Sequence, residues 1–212
     1  MQDRGNGILI SEEAEIAEGV EILPNTQIYG AVKIGKGSKI GPNTVIENSE
    51  LGEGVTVNAS QIYDSIVGND VRIGPFAHLR PNSRIADGVK IGNFVEIKNS
   101  TIGEKTSIAH LTYIGDSDIG ARVNFGCGCV TVNYDGIKKS RTVVGDDCFI
   151  GCNTNLVAPV KVESGSYIAA GSTITDDVSE DALAIARARQ VEKAGWAKEF
   201  RVRKEELKSR QK

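Results

Sequence analysis

Large aliphatic residues recur along this chain at intervals of six. The series begins at Ile10 and runs with few breaks to Ile174. A helix buries positions three and four residues apart, and a plain strand buries every second position, so a period of six fits neither element alone. The interval instead indicates a repeated six-residue unit that stacks on its neighbours, as in solenoid proteins.

A second regularity lies four residues after each aliphatic position, where the residue is small or β-branched, as at Thr26, Val32 and Ser38. Each repeat therefore supplies one large and one small inward side chain and then turns, so that three repeats close one triangular coil. Stacked coils would pair backbone to backbone at about 4.8 Å. The pattern predicts an all-β fold, a parallel β-helix of hexapeptide repeats with about nine coils.

Some steps in the series are one residue short, and each of these carries a serine three residues after its first aliphatic residue. We expect the serine to fill the small inward position at a tightened corner. Its hydroxyl would then bond a backbone group that the shorter turn leaves unpaired. These serines are Ser49, Ser60, Ser65, Ser100 and Ser117.

The repeats assign residues 1–175 to the β-helix, interrupted by a polar loop at 132–143 that contains NYDGIKK. After residue 175 the six-residue rhythm stops. Residues 176–212 are predicted to form an extended arm and then a charged helix over 190–212. This tail is expected either to cap the open end of the prism, where strand edges would be unpaired, or to bind a ligand.

Composition narrows the classes of function. The formal net charge of −3 provides no basic excess for nucleic acid. No apolar run approaches the roughly 20 residues that span a bilayer, and the N-terminus does not look like a signal peptide. The four cysteines are therefore expected to be free thiols of a cytoplasmic protein. They are not expected to bind metal, because inward and outward cysteines cannot converge on one ion.

On such a scaffold, function must come from outward side chains and from the interruption. His110 lies two positions after Ile108 and is predicted to face outward. Arg80 and Lys98 are one coil length apart, so their side chains should stack on one face. Two stacked cations would repel each other unless an anion such as phosphate joined them. Two separately solvated basic side chains fit the same spacing equally well.

The segments around these residues are IGPFAHLRP at 73–81, IGNFVEIK at 91–98, AHLTYIGD at 109–116, VNFGCGCVTVNYDG at 123–136, LVAPVKV at 156–162 and LAIARARQ at 183–190. They resemble the acetyltransferase domain of the bifunctional bacterial enzymes that make UDP-N-acetylglucosamine, especially the Gram-positive forms. The uridylyltransferase half of those enzymes carries a glycine-rich nucleotide motif. Nothing of that kind occurs in this sequence, so the uridylyltransferase domain is expected to be absent.

The resemblance implies a left-handed β-helix that forms a homotrimer with sites between subunits. It also implies transfer of acetyl from acetyl-CoA to the amine of glucosamine 1-phosphate, with no metal required. His110 matches the general base, which takes a proton from the attacking amine. Residues that match contacts to the sugar phosphate are Arg80, Lys98, Tyr113, Asn124 and Lys139. Residues that match contacts to acetyl-CoA are Asn133, Tyr134, Cys127, Cys152, Ala170 and Arg187.

Other functions stay open at this point. The chain could be another hexapeptide acyltransferase that acts on a different amino sugar or on a sugar nucleotide. It could also be a non-catalytic structural β-helix, although that function would not explain the NYDGIKK loop or the aligned cations. A zinc-dependent β-helix of the carbonic-anhydrase kind would need about three histidine ligands, and the only histidines are His78 and His110.

Overall fold

The fold is a stack of triangular coils, in which each coil contributes one short strand to each of three walls. A computed structural model describes residues 1–209. Nearly all strands pair in parallel with the strands one coil before and one coil after them. Most strands have two to four residues, whereas two nine-residue strands continue around a corner and belong to two walls. The predicted parallel β-helix is therefore confirmed.

Each wall is a ladder of strands that runs from the N-terminal to the C-terminal end of the prism. The first wall holds β2 (Leu9–Ile10), β5 (Thr26–Tyr29), β8 (Thr44–Glu47), β11 (Gln61–Tyr63), β14 (His78–Leu79), β21 (Val130–Val132), β24 (Asn155–Val157) and β27 (Thr173–Ile174). The second wall holds β3 (Glu15–Ile16), β6 (Lys33–Ile34), β9 (Glu50–Leu51), β12 (Ile66–Val67), β15 (Arg84–Ile85), β17 (Thr101–Ile102), β19 (Ser117–Ile119), β22 (Thr142–Val144) and β25 (Val160–Val162).

In chain order, each strand of the third wall but the last follows a strand of the second wall and precedes a strand of the first wall in the next coil. It holds β4 (Glu21–Ile22), β7 (Lys39–Ile40), β10 (Thr56–Val57), β13 (Arg72–Ile73), β20 (Asn124–Phe125), β23 (Phe149–Ile150), β26 (Tyr167–Ile168) and β28 (Leu183–Ala184). The long strands β16 (Lys90–Lys98) and β18 (Ser107–Gly115) begin in the third wall and end in the first.

The interior of the prism contains the side chains that the six-residue pattern predicted. Ile28, Ile46 and Ile97 are fully buried, and the small positions Thr44 and Val55 are buried with them. Each apolar side chain removed from water contributes about 25 cal/mol per Å² of apolar area. The core is thus one continuous column along the prism, and the outward positions are free to vary in chemistry.

The serines at the shortened steps lie at tight corners, as predicted. Ser100 Oγ donates to the carbonyl of Lys98 at 2.7 Å and accepts the N–H of Ser117, in the next coil, at 3.0 Å. Ser60 makes the same pair of bonds, to Asn58 O at 2.7 Å and from the N–H of Ala77 at 3.1 Å. One hydroxyl therefore satisfies two backbone groups where the coil is shortened.

The C-terminal end of the β-helix lies beyond the predicted boundary at residue 175. Val178 forms a parallel bridge with Val162, and β28 pairs in parallel with β26. Residues 176–189 therefore begin as a further partial coil and not as a free arm. The step from Ile174 to Val178 has four residues in place of six, and Val178 and Ala182 still turn their side chains toward the core.

The predicted helix at 190–212 is observed as α1 (Trp196–Ser209), and residues 210–212 lie outside the described residues. No residue of α1 is buried, so of the two roles considered for the tail, capping of the prism is not observed within this chain. At the other end, β1 (Gln2–Asp3) pairs antiparallel with β2 and covers the first strand edge. Between residues 1 and 209, no helix is long and apolar enough to cross a membrane.

Candidate active site

His110 lies at the end of the third wall, just before the corner at Leu111, and it is exposed as predicted. Asn93 is its partner in the coil below, and His110 Nδ1 lies 3.0 Å from Asn93 Oδ1. An amide oxygen only accepts hydrogen bonds, so this contact requires the proton on Nδ1. The Nε2 lone pair of the neutral ring is then free to accept a proton, as a general base must.

A column of outward residues continues from His110 along the third wall. The pairing of β18 with β20 and of β20 with β23 places Cys127 opposite His110 and Cys152 opposite Cys127. Ala170 follows in the next coil, where Gly171 N–H donates to Cys152 O at 2.8 Å. Arg187 approaches the same coil, with its Cδ 3.9 Å from where a Cβ on Gly171 would lie. Cys127, Cys152, Ala170 and Arg187 thus form one column above His110, whereas Asn133 and Tyr134, also matched to coenzyme contacts, lie in the interrupting loop.

The six-residue register predicts that Cys129 and Cys148 face inward and that Cys127 and Cys152 face outward, and the structure agrees. Cys129 and Cys148 are buried in the core, Cys127 is half-buried and Cys152 is exposed. Burial raises the pKa of Cys129 to about 11. The coils that carry Cys127 and Cys152 approach closely at Gly126. A Cβ at Gly126 would lie 2.5 Å from the backbone nitrogen of Cys152, so a larger residue would hold the two coils apart.

Three basic side chains converge on the first wall. Arg80 and Lys98 occupy equivalent positions in successive coils, as their spacing predicted. Lys139 reaches the same place from the interrupting loop. Its proximity, together with burial, lowers the pKa of Lys98, because the contact disfavours a second ammonium. Tyr113 faces outward from the same wall, two residues before the register partner of Lys98.

The stacked cations already have counter-charges, which corrects the expectation that they would repel unless an anion joined them. Arg80 is 2.8 Å from a carboxylate oxygen of Glu96, and Lys98 is 3.9 Å from one of Asp116. With Lys139 included, three cations face two carboxylates, and one positive charge remains in excess. That excess, more than the stacking itself, suits an anionic ligand.

Asp116 was not singled out from the sequence, although its carboxylate is central to this cluster. It is only 5% exposed. Asn99 Nδ2 donates to it at 2.5 Å, and Asn133 Nδ2 donates to its other oxygen. Burial pushes the pKa of Asp116 up, but these donors and the nearby ammonium groups together bring the pKa below its usual value. Asp116 is therefore an ionised, almost fully buried carboxylate.

The interrupting loop spans 133–141, because β21 and β22 each extend into the predicted interval of 132–143. Tyr134 and Lys139 form an antiparallel bridge, and the Asp135 carboxylate accepts two backbone N–H groups at the turn between them. The Tyr134 hydroxyl donates to Gly136 O at 2.7 Å, within the loop itself. Arg141 anchors the loop base by donating to Asp118 at 2.9 Å.

The loop rejoins the β-helix at Thr142, and this junction is imperfect. Among residues 1–209, Thr142 Oγ1 is the buried side-chain oxygen or nitrogen without a hydrogen-bond partner. Ser117, its counterpart in the preceding coil, donates to Gly115 O at 2.8 Å. The loop residues that precede Thr142 offer no acceptor to its hydroxyl, so the orphaned hydroxyl is a cost of placing the loop here.

The residues matched to ligands lie on two walls that meet at one corner. Arg80, Lys98 and Tyr113 face outward from the first wall, with Lys139 and Asn133 above them. His110 and its column face outward from the third wall, as does Asn124.

The corner itself carries a column of Phe76, Phe94 and Leu111, each more than half exposed. All three have φ between 46° and 59°, a conformation that is uncommon for large side chains. Phe76 and Phe94 stack with their ring centroids 5.5 Å apart. This apolar ridge lies between His110 and the cation cluster, which is the group formed by Arg80, Lys98 and Lys139.

The architecture is one that solved enzymes share. The structure of an Arabidopsis UDP-N-acetylglucosamine acyltransferase matches this chain with a TM-score of 0.72 and 21% sequence identity, covering 85% of this chain and 70% of that one. At that identity the likeness establishes the fold, a left-handed parallel β-helix, and nothing about the substrate.

Sequence comparison identifies the family to which this chain belongs. The model of the bacterial transferase hexapeptide (six repeats) matches residues 13–48, 64–99 and 141–176, and the chain belongs to this family. The bifunctional protein GlmU of Geobacillus sp. strain WCH70 is 53% identical over 195 residues, which is 92% of this chain. The bifunctional protein GlmU of Caldanaerobacter subterraneus is 55% identical over 198 residues, or 93% of this chain. The chain spans only 42% and 43% of these relatives' lengths, in their C-terminal portion.

Proposed function

We propose that this chain transfers acetyl from acetyl-CoA to the amine of glucosamine 1-phosphate, giving N-acetylglucosamine 1-phosphate for UDP-N-acetylglucosamine and cell-wall synthesis. The observation that carries the proposal is the cluster of Arg80, Lys98 and Lys139, which keeps one positive charge in excess. A sugar phosphate matches that charge. Support also comes from the motif resemblance and from the name of the relatives, bifunctional protein GlmU.

The chemistry requires one base and a held substrate. As the amine nitrogen attacks the thioester carbonyl, His110 Nε2 takes the proton that the nitrogen loses. The C–N bond forms and the C–S bond breaks, and the leaving sulfur takes the proton from the imidazolium of His110, which releases free coenzyme A and restores the neutral base. Arg80 and the two lysines hold the phosphate and keep the amine near Nε2. An imidazole suits this transfer because it exchanges protons near neutral pH.

A second subunit is part of the proposal, in a homotrimer with sites between subunits. The corner ridge of Phe76 and Phe94 is exposed, and on the third wall Phe149 stacks on Tyr167 with both rings exposed. Exposed apolar surface of this extent is typical of subunit contacts. A partner seated there would lie beside His110 and its column. Use of acetyl-CoA also assigns the protein to the cytoplasm.

The direct test measures coenzyme A thiol release with glucosamine 1-phosphate, glucosamine and UDP-glucosamine as acceptors. The proposal predicts activity with the first, a KM at least about tenfold higher with glucosamine, and little activity with the nucleotide. His110→Ala should lower kcat by about 10²–10⁴. Lys161→Ala, which removes an exposed cation on the second wall, is the control that should not change kcat. Near-normal turnover in His110→Ala, or a preference for the nucleotide, would contradict the proposal.

A further inference from the structure

Asp116 is held firmly at the corner where the first wall turns into the second. Its N–H donates to Lys98 O at 3.0 Å, and its C=O accepts the N–H of Thr142 at 3.2 Å. The residue is therefore fixed from the coil below and from the point at which the loop rejoins the β-helix. Its carboxylate contacts two amides, Asn99 and Asn133, and the ammonium of Lys98.

The corner alone does not require a charge. Equivalent corners carry Asn48, Asp64 and Asn82, which share the positive φ of Asp116 but are exposed. Asparagine and aspartate both tolerate this conformation. A carboxylate that is 5% exposed is costly unless it is well paired, so the charge at Asp116 needs an explanation of its own.

The explanation lies in the two lysines. The ammonium groups of Lys98 and Lys139 are close enough to lower the pKa of Lys98, and loss of one proton would relieve their repulsion. A carboxylate 3.9 Å from Lys98 opposes that loss. The charged and titratable groups around the carboxylate are Lys98, Lys139 and Arg141, with Arg80, Glu96, Tyr113 and Asp118 next to these.

The amide of Asn133 responds to the same carboxylate. Its Nδ2 donates to Asp116 and also lies 3.5 Å from the Tyr113 hydroxyl. A carboxylate accepts but cannot donate, so it selects the orientation in which the Asn133 oxygen points away from Asp116. The loop amide thus has one defined orientation.

We propose that Asp116 is a positioning residue that keeps Lys98 and Lys139 charged side by side and fixes the Asn133 amide. The inference rests on the proposed function, because the lysine pair is expected to hold the substrate phosphate. Asp116 itself touches no reacting atom.

The test is the pH dependence of KM for glucosamine 1-phosphate in Asp116→Asn, followed by coenzyme A thiol release from about pH 6.5 to 10. Without the carboxylate, the lysine pair should lose a proton at a lower pH than it does in the wild type. The rise of KM at alkaline pH should begin about one pH unit or more below that of the wild type. The KM for acetyl-CoA should not show this shift. Asp64→Asn makes the same change at an exposed, equivalent corner and should leave the profile in place.

The outcomes separate the two ideas. If Asp116→Asn raises KM by the same factor at every pH and does not shift the alkaline rise, Asp116 has only a structural role and the inference is wrong. A wild type that fails to acetylate glucosamine 1-phosphate would instead overturn the proposed function. The inference is then decided by NMR titration of the Lys98 ammonium, which should lose its proton at lower pH in Asp116→Asn. If that variant does not fold, Asp116→Gly removes the charge and tolerates the positive φ.

Discussion

The contact between Asn93 and His110 offers the sharpest test of the proposed base. His110 Nδ1 and Asn93 Oδ1 are 3.0 Å apart, and both groups are accessible to water. A neutral hydrogen bond of this kind is worth about 0.5–1.5 kcal/mol. Asn93→Ala removes the acceptor that holds the proton on Nδ1, so more of the imidazole adopts the tautomer with Nε2 protonated. We expect kcat to fall by about 2- to 12-fold, which is that free energy expressed as a rate ratio.

The measurement is the initial rate of coenzyme A thiol release, with kcat and both KM values determined separately. KM for glucosamine 1-phosphate should change little, because Asn93 does not belong to the cation cluster. Asn93→Asp retains an acceptor oxygen and should recover most of the rate. Gln61→Ala removes an exposed acceptor of the same kind, from Tyr63, far from His110 and should not alter kcat. An unchanged kcat in Asn93→Ala would refute the assignment of Nε2 as the base.

Three further predictions concern the scaffold and its assembly. Ile97→Ala, at a fully buried position, should lower the free energy of unfolding by about 2–5 kcal/mol in urea titrations. Phe94→Asp places a charge on the exposed ridge and should dissociate the proposed trimer, as measured by sedimentation velocity, with loss of activity. The folded-state pKa of Asp116 is lowered, so its stabilising effect exists above the unfolded pKa of about 3.9 and disappears as pH falls through the folded value. Acidification below about pH 4 should therefore destabilise the wild type more than Asp116→Asn.

The periodic part of the molecule could be predicted from the sequence because inward positions repeat. The six-residue interval identifies each buried aliphatic position, such as Ile97, and a shortened step identifies each corner serine, such as Ser100. The stacking of Arg80 on Lys98 follows from the same rule, since both are one residue after an inward aliphatic residue. The neighbour of His110 could have been found as well. Because one step of that coil is a residue short, residues at equivalent positions in the two coils are 17 apart, and the residue 17 before His110 is Asn93.

The rest of the site escaped prediction where the period is broken. The contact of Asn133 with Asp116 depends on the path of a loop that leaves the β-helix after Val132, and no repeat fixes that path. The last partial coil was missed for a related reason. The step from Ile174 to Val178 is two residues short, but Val178 and Ala182 keep inward positions through backbone pairing with the preceding coil.

The division between periodic and irregular parts also explains where the charge is placed. Stacking alone puts Arg80 and Lys98 about 4.8 Å apart at the backbone, which is a fixed and unfavourable arrangement of two cations. Glu96, on a periodic position, balances Arg80. In the next coil the register partner of Glu96 is Tyr113, which offers no carboxylate, so Lys98 is balanced from the corner. Asp116 provides that charge, and the loop then adds Lys139 to restore one positive charge for a ligand. The insertion therefore supplies, at this coil, a third basic side chain that lies outside the periodic positions.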